Sequence, residues 1–146
     1  MPYVIEPAAG LTRGTLCYLL DAYVEESGVD ADGKEKKHTV LKLHPRFAPI
    51  KAAVLPLVKK DGLPEIAREI VGELFKNGMN AKYDEQHSIG KRYARHDEVG
   101  TPYCITVDHQ TKEDQMVTIR DRDTTKQERI SIENALSTVQ KRLAEV

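Results

Sequence analysis

The sequence predicts an α/β protein: a three-layer α/β/α unit on a mixed five-stranded sheet, preceded by a strand and a helix belonging to a separate structural unit. Three observations carry this expectation. Between residues 52 and 107, short apolar or β-rich runs alternate with two amphipathic stretches. That β-α-β-α-β order makes parallel neighbours through right-handed crossovers. The first run, AAVLPLV (52–58), is apolar without alternation, as in a strand covered on both faces. After Val107 come a polar turn, two further β-rich runs and a striped helix, which add returning strands to the parallel ones.

Taken in order, 3–5 (Tyr-Val-Ile) reads as a short strand. A helix follows from Thr12, because Leu16, Leu19, Leu20, Tyr23 and Val24 share one face; it runs out near Glu26, with Gly28 as its stop. GVDADGKEKK (28–37) is polar and charged, a linker or an exposed hairpin loop. The composition changes here, so the chain divides into 1–37 and 38–146. Residues 38–43 form a strand candidate that Pro45 and Pro49 terminate. In the 52–58 strand, Pro56 belongs at the end, since proline cannot donate to a ladder. The spacing predicts a helix over 63–77, with Pro64 in its first turn, an inner stripe of Ile66, Ile70, Leu74 and Phe75, and Gly78 as C-cap. A strand at 81–83, a helix at 88–98 stopped by Gly100, and a strand at 103–107 complete the crossovers. HQTKEDQ (109–115) turns the chain into strands at 116–120 and 128–132. Ile132, Ala135, Leu136, Val139 and Leu143 stripe the closing helix.

Composition narrows the function. The 146 residues include 22 basic and 23 acidic groups, a formal net charge of −1. That balance excludes a nonspecific nucleic-acid coat and confines any RNA site to a local patch. Cys17 and Cys104 lie in no CxxC or Cys/His spacing and read as thiols of a reducing compartment. His38, His44, His87, His96 and His109 form no ligand spacing, so no metal is expected. No apolar run approaches spanning length and no secretory n-region is present. The expectation is a cytoplasmic protein without a membrane partner.

Charge is concentrated in two stretches. The 88–98 helix carries Lys91, Arg92, Arg95, Asp97 and Glu98; the 117–132 stretch carries Arg120, Asp121, Arg122, Asp123 and Arg129. Lys91 and Arg95 share a helix face, with Tyr93 about 200° round from Lys91. Acids and bases projected together suit the reading of base edges, whereas a phosphate grip needs only bases. The competing readings are a solvated helix face, and cross-strand salt bridging of residues 120–123 with Glu128 or Arg129, for Asp121 in particular. Lys59-Lys60-Asp61-Gly62 sits at a strand-to-helix turn where amides could meet an anion, against the plain reading of a solvated turn.

FAPIKAAVLPLVKKDGLPEIAREIV (47–71) resembles, almost letter for letter, a run found in class II glycyl-tRNA synthetases. GKRYARHDEVGTPY (90–103) and TIRDRDT (118–124) resemble the anticodon-binding domain of the same family. The resemblance covers 38–146 densely. EPAAGLTRG (6–14) resembles the family's motif 3, EPSAGLTRG, a strand and helix of the catalytic domain. This implies nucleotide (ATP) contacts from Gly10, Leu11, Thr12 and Arg13, whose guanidinium would fork onto phosphate oxygens. It implies substrate contacts from Glu6 and Ala8, although Ala8 replaces a serine that helps hold glycine. Nothing resembles motifs 1 or 2, so no catalytic residue is assigned, and this chain alone is expected to form no glycyl adenylate. Several positioned cations are needed for that step, and Arg13 is one.

The resemblance further implies that residues 1–37 are the end of a catalytic domain and 38–146 its anticodon-binding domain. The complete enzyme would attach glycine to tRNA(Gly) with ATP and Mg²⁺, as a homodimer; no DNA partner and no cofactor for this chain alone are expected. Its partners are then tRNA(Gly) and the rest of the catalytic domain. The alternatives are an enzyme acting on a nucleotide through Arg13 and the 59–62 turn, and a free-standing paralogue serving protein interaction or regulation. Both anticodon letters that pair with the first two guanines of glycine codons are cytosines, each offering an amino donor and acceptors at N3 and O2. Arg120 and Glu98 are the first expected readers of these bases, with Arg95, Asp97, Asp121, Arg122 and Asp123 as further candidates and Lys91 and Arg92 on phosphates. The stripe of the first helix is expected to be a bare apolar patch.

Overall fold

A computed structural model describes residues 3–29 and 35–145. The elements are α1 (Leu11–Ala22), β1 (Tyr23–Val29), β2 (Glu35–Leu41), β3 (Ala52–Pro56), α2 (Leu63–Lys76), β4 (Ala81–Tyr83), α3 (Ile89–Glu98), β5 (Tyr103–Val107), α4 (Thr111–Asp114), β6 (Met116–Asp121), β7 (Gln127–Ser131) and α5 (Ile132–Ala144).

The five-stranded sheet has the order β4-β3-β5-β6-β7. β3 pairs in parallel with β4 and β5, while β6 and β7 are antiparallel additions. All residues of β3 and β5 are buried, because helices lie on both faces. On one face Ala52, Val54, Ile105, Val107, Val117 and Ile119 meet Leu63, Ala67, Ile70 and Leu74 of α2 and Ala135 and Val139 of α5. On the other, Ala53, Leu55 and Cys104 meet Ile89 and Tyr93 of α3. The mixed three-layer sheet of the sequence reading is what forms. The strand ends at Pro56 as expected, with Gly78 and Gly100 in the left-handed conformation behind α2 and α3.

The N-terminal part differs from expectation. Residues 3–5 form no strand and are almost wholly exposed. α1 stops at Ala22, four residues short of Glu26 (26 − 22). Tyr23 and Val24, read as the end of a helical stripe, instead open β1, which pairs antiparallel with β2 from Tyr23↔Leu41 to Val29↔Glu35. Aromatic and β-branched residues suit a strand once a partner exists, and periodicity within one segment cannot reveal the partner. Residues 30–34 of the stretch expected as a linker or hairpin loop lie outside the described residues. The division expected at 37/38 falls within β2, so the hairpin crosses it. Leu11, Leu16, Tyr18, Leu19 and Leu20 of α1 are exposed.

The hairpin docks on the sheet unit at the end of α3. Gly100 adopts φ +78°, and a Cβ there would lie 2.9 Å from the Leu41 carbonyl oxygen and 3.1 Å from Leu43 Cδ1. Gly78 has a similar φ of +75° with open space around it. Gly100→Ala should therefore cost more than the roughly 1–3 kcal/mol of left-handed strain expected for Gly78→Ala, as read from urea midpoints. Equal losses would show that the hairpin yields freely at this contact. Thiol chemistry checks the layering: Cys104 is buried and its thiol pushed up to about 12 by burial, whereas Cys17 is exposed. A thiol reagent should label Cys17 rapidly in the native chain and Cys104 only after denaturation.

Candidate nucleic-acid interface

Strand register divides the expected site residues between two ends of the sheet. Tyr103, which begins β5, pairs with Asp121, and Thr106 near its end pairs with Thr118. Residues 120–123 therefore lie at the amino edge of the parallel strands. α3 runs back across the face from the carboxyl edge, so Lys91 and Arg92 start at one end and Asp97 and Glu98 finish at the other. The two charged stretches meet through Arg120, which reaches Asp97 and Tyr93 of α3.

At the amino edge the acids and bases are spent on one another. Arg120 donates through Nη1 and Nη2 to the two Asp97 carboxylate oxygens at 2.8 and 3.0 Å. His38 Nε2 of β2 lies 3.0 Å from Asp97 Oδ2. The Arg120 guanidinium also sits 4.9 Å from the centre of the Tyr93 ring. Burial works against its charge, but Asp97 outweighs this and holds its pKa above the usual arginine value. Arg122 donates to the carbonyls of Gly100 (2.8 Å) and Leu43 (2.9 Å) and to the Asp123 carboxylate.

Arg120, Arg122 and Asp97 were expected to read bases; all three are buried, with their donors and acceptors engaged within the protein. They join the hairpin to the sheet. Asp121 makes no cross-strand pair with Arg129. It accepts from the Thr124 amide and hydroxyl and closes the β6–β7 turn, while Arg129 turns to Asp108 and Asp114, and Glu128 to Arg142. Asp123 and Glu98 are exposed.

At the carboxyl edge Arg92, expected on phosphates, is also buried. Its guanidinium donates to the carbonyls of Pro56, Asp84 and Leu57 at 2.6, 3.2 and 3.2 Å, tying the ends of β3 and β4 together. Burial lowers its pKa. Arg95 is half-buried against Asp84 at 2.8 Å. Lys91, by contrast, is exposed, as are Lys59 and Lys60 of the β3–α2 turn and Lys112 of α4. This edge also carries left-handed backbone at Asp61, Gly62 and His87, directly before α2 and α3. Neither Gly62 nor Ser88 caps its helix with a side chain; the Leu63 amide of α2 donates to the Lys60 carbonyl at 3.3 Å and Pro64 has no N–H, so it is α3 that begins with a first turn of amides left without a side-chain partner. Backbone strain of this kind gathers at functional sites. The 59–62 turn was read from the sequence; Lys112 and the bare start of α3 were missed, although Ser88 marked the latter.

In the N-terminal segment, Glu6, Ala8, Gly10, Leu11, Thr12 and Arg13 are all exposed. α1 begins at Leu11 after Gly10 with no side-chain cap, so Arg13 stands in a first turn with free amides, an arrangement able to receive a phosphate. Among the described residues no group of three or more His, Cys, Asp or Glu side chains comes together to hold a metal, and no helix is long and apolar enough to cross a membrane.

His96 supplies a pH test of the inner face of α3. It is fully buried, with Nδ1 3.3 Å from Thr101 Oγ1 and Nε2 3.5 Å from Asp84 Oδ2. Burial lowers its pKa despite the Asp84 carboxylate, which opposes that shift. The unfolded chain thus binds a proton near pH 6.5 that the folded chain refuses until lower pH. Stability should be full above that pH and fall as pH drops below it, by at most about 1.4 kcal/mol per pH unit. Urea midpoints between pH 7.5 and 5.5 should show this fall, and His96→Gln should flatten it.

With this geometry in place, comparison with known proteins is informative. Residues 51–142, the sheet unit from β3 into α5, match the family model described as an anticodon binding domain. The chain is 54% identical over 143 residues to the glycine–tRNA ligase of Rhodopirellula baltica, covering 98% of this chain and 26% of that protein. It is 51% identical over 145 residues to that of Bifidobacterium longum, covering 99% and 30%. The chain thus spans under a third of the length of these relatives. A solved prolyl-tRNA synthetase from Cryptosporidium parvum, complexed with L-proline and AMP, superposes with a TM-score of 0.67 at 21% identity, over 82% of this chain and 32% of that one, and so shares the fold. The buried sheet, its helices on both faces and the matched residues agree: the chain belongs to the anticodon-binding-domain family, in the form carried by glycine–tRNA ligases.

Proposed function

We propose that the chain is the anticodon-binding portion of a glycine–tRNA ligase and recognises tRNA(Gly) for attachment of glycine by the complete enzyme. The observation that carries this reading is identity above 50% to glycine–tRNA ligases over nearly the whole chain, with the sheet unit inside the matched family domain. In the complete enzyme ATP and Mg²⁺ would drive adenylation of glycine. Here Arg13, with Gly10, Leu11 and Thr12, would meet a nucleotide phosphate, and the 1–37 segment would be the end of a catalytic domain; Mg²⁺ would be held by residues elsewhere. A cytoplasmic homodimer is the assembly and setting that fit this reading. No observation favours a regulatory paralogue.

The exposed lysines support the carboxyl edge of the parallel strands as the surface that meets the RNA. Lys59, Lys60, Lys91 and Lys112 offer cations to phosphates, and the uncapped first turn of α3 adds its dipole. This is the edge where open α/β sheets receive ligands. Of the residues first expected to read cytosines, Arg95 is half-buried on this edge and remains the proposed reader; Glu98 is exposed at the opposite end of α3, and Arg120 acts on the fold.

Filter-binding titration with tRNA(Gly), and with a transcript whose two anticodon cytosines are uracils, tests both levels. The wild-type chain should prefer tRNA(Gly). Lys59→Ala, Lys60→Ala and Lys91→Ala should each weaken both RNAs alike and lower the salt slope by about one. Arg95→Ala should narrow the preference, at a cost of about 1–3 kcal/mol. Equal binding of both transcripts by the wild type would refute anticodon reading, and unchanged salt slopes would refute the lysine surface.

A further inference from the structure

The sheet face away from α3 carries a furrow that the tRNA reading does not use. It lies between α2 and α5 and has a volume of about 510 Å³. Its floor is apolar, formed by side chains including Ile66, Ile70 and Leu136, and its rims are Glu69 and Glu73 of α2 and Glu133 of α5. Gln115 is the remaining polar residue at its edge, and no lysine or arginine lines it. Glu73 has a distant partner in Lys76 at 3.9 Å and accepts from Asn77 Nδ2 at 3.2 Å. Glu69 and Glu133 are exposed and, among the described residues, make no ion pair or side-chain hydrogen bond.

An apolar trough between carboxylate rims repels a polyanion, so this side is unsuited to RNA. It is complementary to an apolar stripe flanked by cations. Two helices standing side by side leave a groove into which a third can lay its i, i+3, i+4 and i+7 side chains, and facing charges set which helix is accepted.

We propose that the α2–α5 furrow docks a basic amphipathic helix of a protein partner, whose apolar stripe fills the floor and whose lysines or arginines face Glu69, Glu73 and Glu133. The two faces of the domain then serve different partners: RNA at the lysine-bearing edge, protein on the acidic face.

The test titrates the whole chain with a synthetic amphipathic peptide carrying a leucine stripe flanked by lysines, and with the same peptide carrying glutamates instead. Calorimetry gives affinities and amide NMR shifts give the location. The lysine peptide should bind with shifts confined to α2 and α5, weakening as salt rises. The glutamate peptide should not bind. In Glu69→Lys/Glu133→Lys, whose altered side chains are solvent-exposed, the preference should reverse, with the lysine peptide losing roughly tenfold in affinity. Equal binding of both peptides, binding of neither, shifts elsewhere, or no reversal in the double variant would overturn the proposal. So would sedimentation showing that the furrow is filled by a second copy of this chain.

Discussion

The Asp97 carboxylate is the point on which the arrangement turns. It lies almost out of reach of solvent, at the end of α3, with Arg120 of β6 gripping both its oxygens and His38 of β2 against one of them. Removing one member of such a buried pair costs about 3–5 kcal/mol, because the other is left charged and unsatisfied. The three residues come from a helix, a sheet strand and the hairpin, so a single electrostatic requirement positions all three elements. Arg122 repeats the device alongside, collecting the Gly100 and Leu43 carbonyls. These polar contacts fix the geometry of the hairpin on the sheet, beside the buried Val40 and Leu43.

This commitment separates the ends of the sheet. Charges at the amino edge have their partners within the protein and contribute shape. Lysines at the carboxyl edge have none among the described residues' ion pairs and face outward. Arg92 belongs to the first kind although it neighbours Lys91 in sequence, since one step along a helix turns a side chain by about 100° from solvent to interior.

The sheet unit was legible in the sequence because its signals are local. The unbroken apolar run at 52–56, the striped helices, and Pro56, Gly78 and Gly100 as stops all report on their own neighbourhoods. β1 was not legible: Tyr23 and Val24 fit a helical stripe equally well, and the partner that decides between helix and strand begins at Glu35, twelve positions later (35 − 23). The same limit misdirected the site. Arg120 and Glu98 look alike as charged residues in a polar run, but whether a guanidinium faces water or a buried carboxylate depends on Asp97, brought near only by the crossover of α3. Sequence marks where charge is dense and leaves open which charges cancel. The lysine turn at 59–60 was readable because both neighbouring elements are themselves readable.

The order of strands has a consequence for synthesis. β3 is made first among the sheet strands yet sits inside the finished sheet, flanked by β4 and β5. As the chain emerges from the ribosome, β3 must wait with both edges and its wholly apolar faces bare. α2 covers one face, and three-residue β4 closes one edge. The other edge stays open until Tyr103 begins β5, after all of α3 has been translated. During that interval the most apolar segment of the domain is a free template for another strand, and so the stage most in need of a chaperone is the one before α3 folds back.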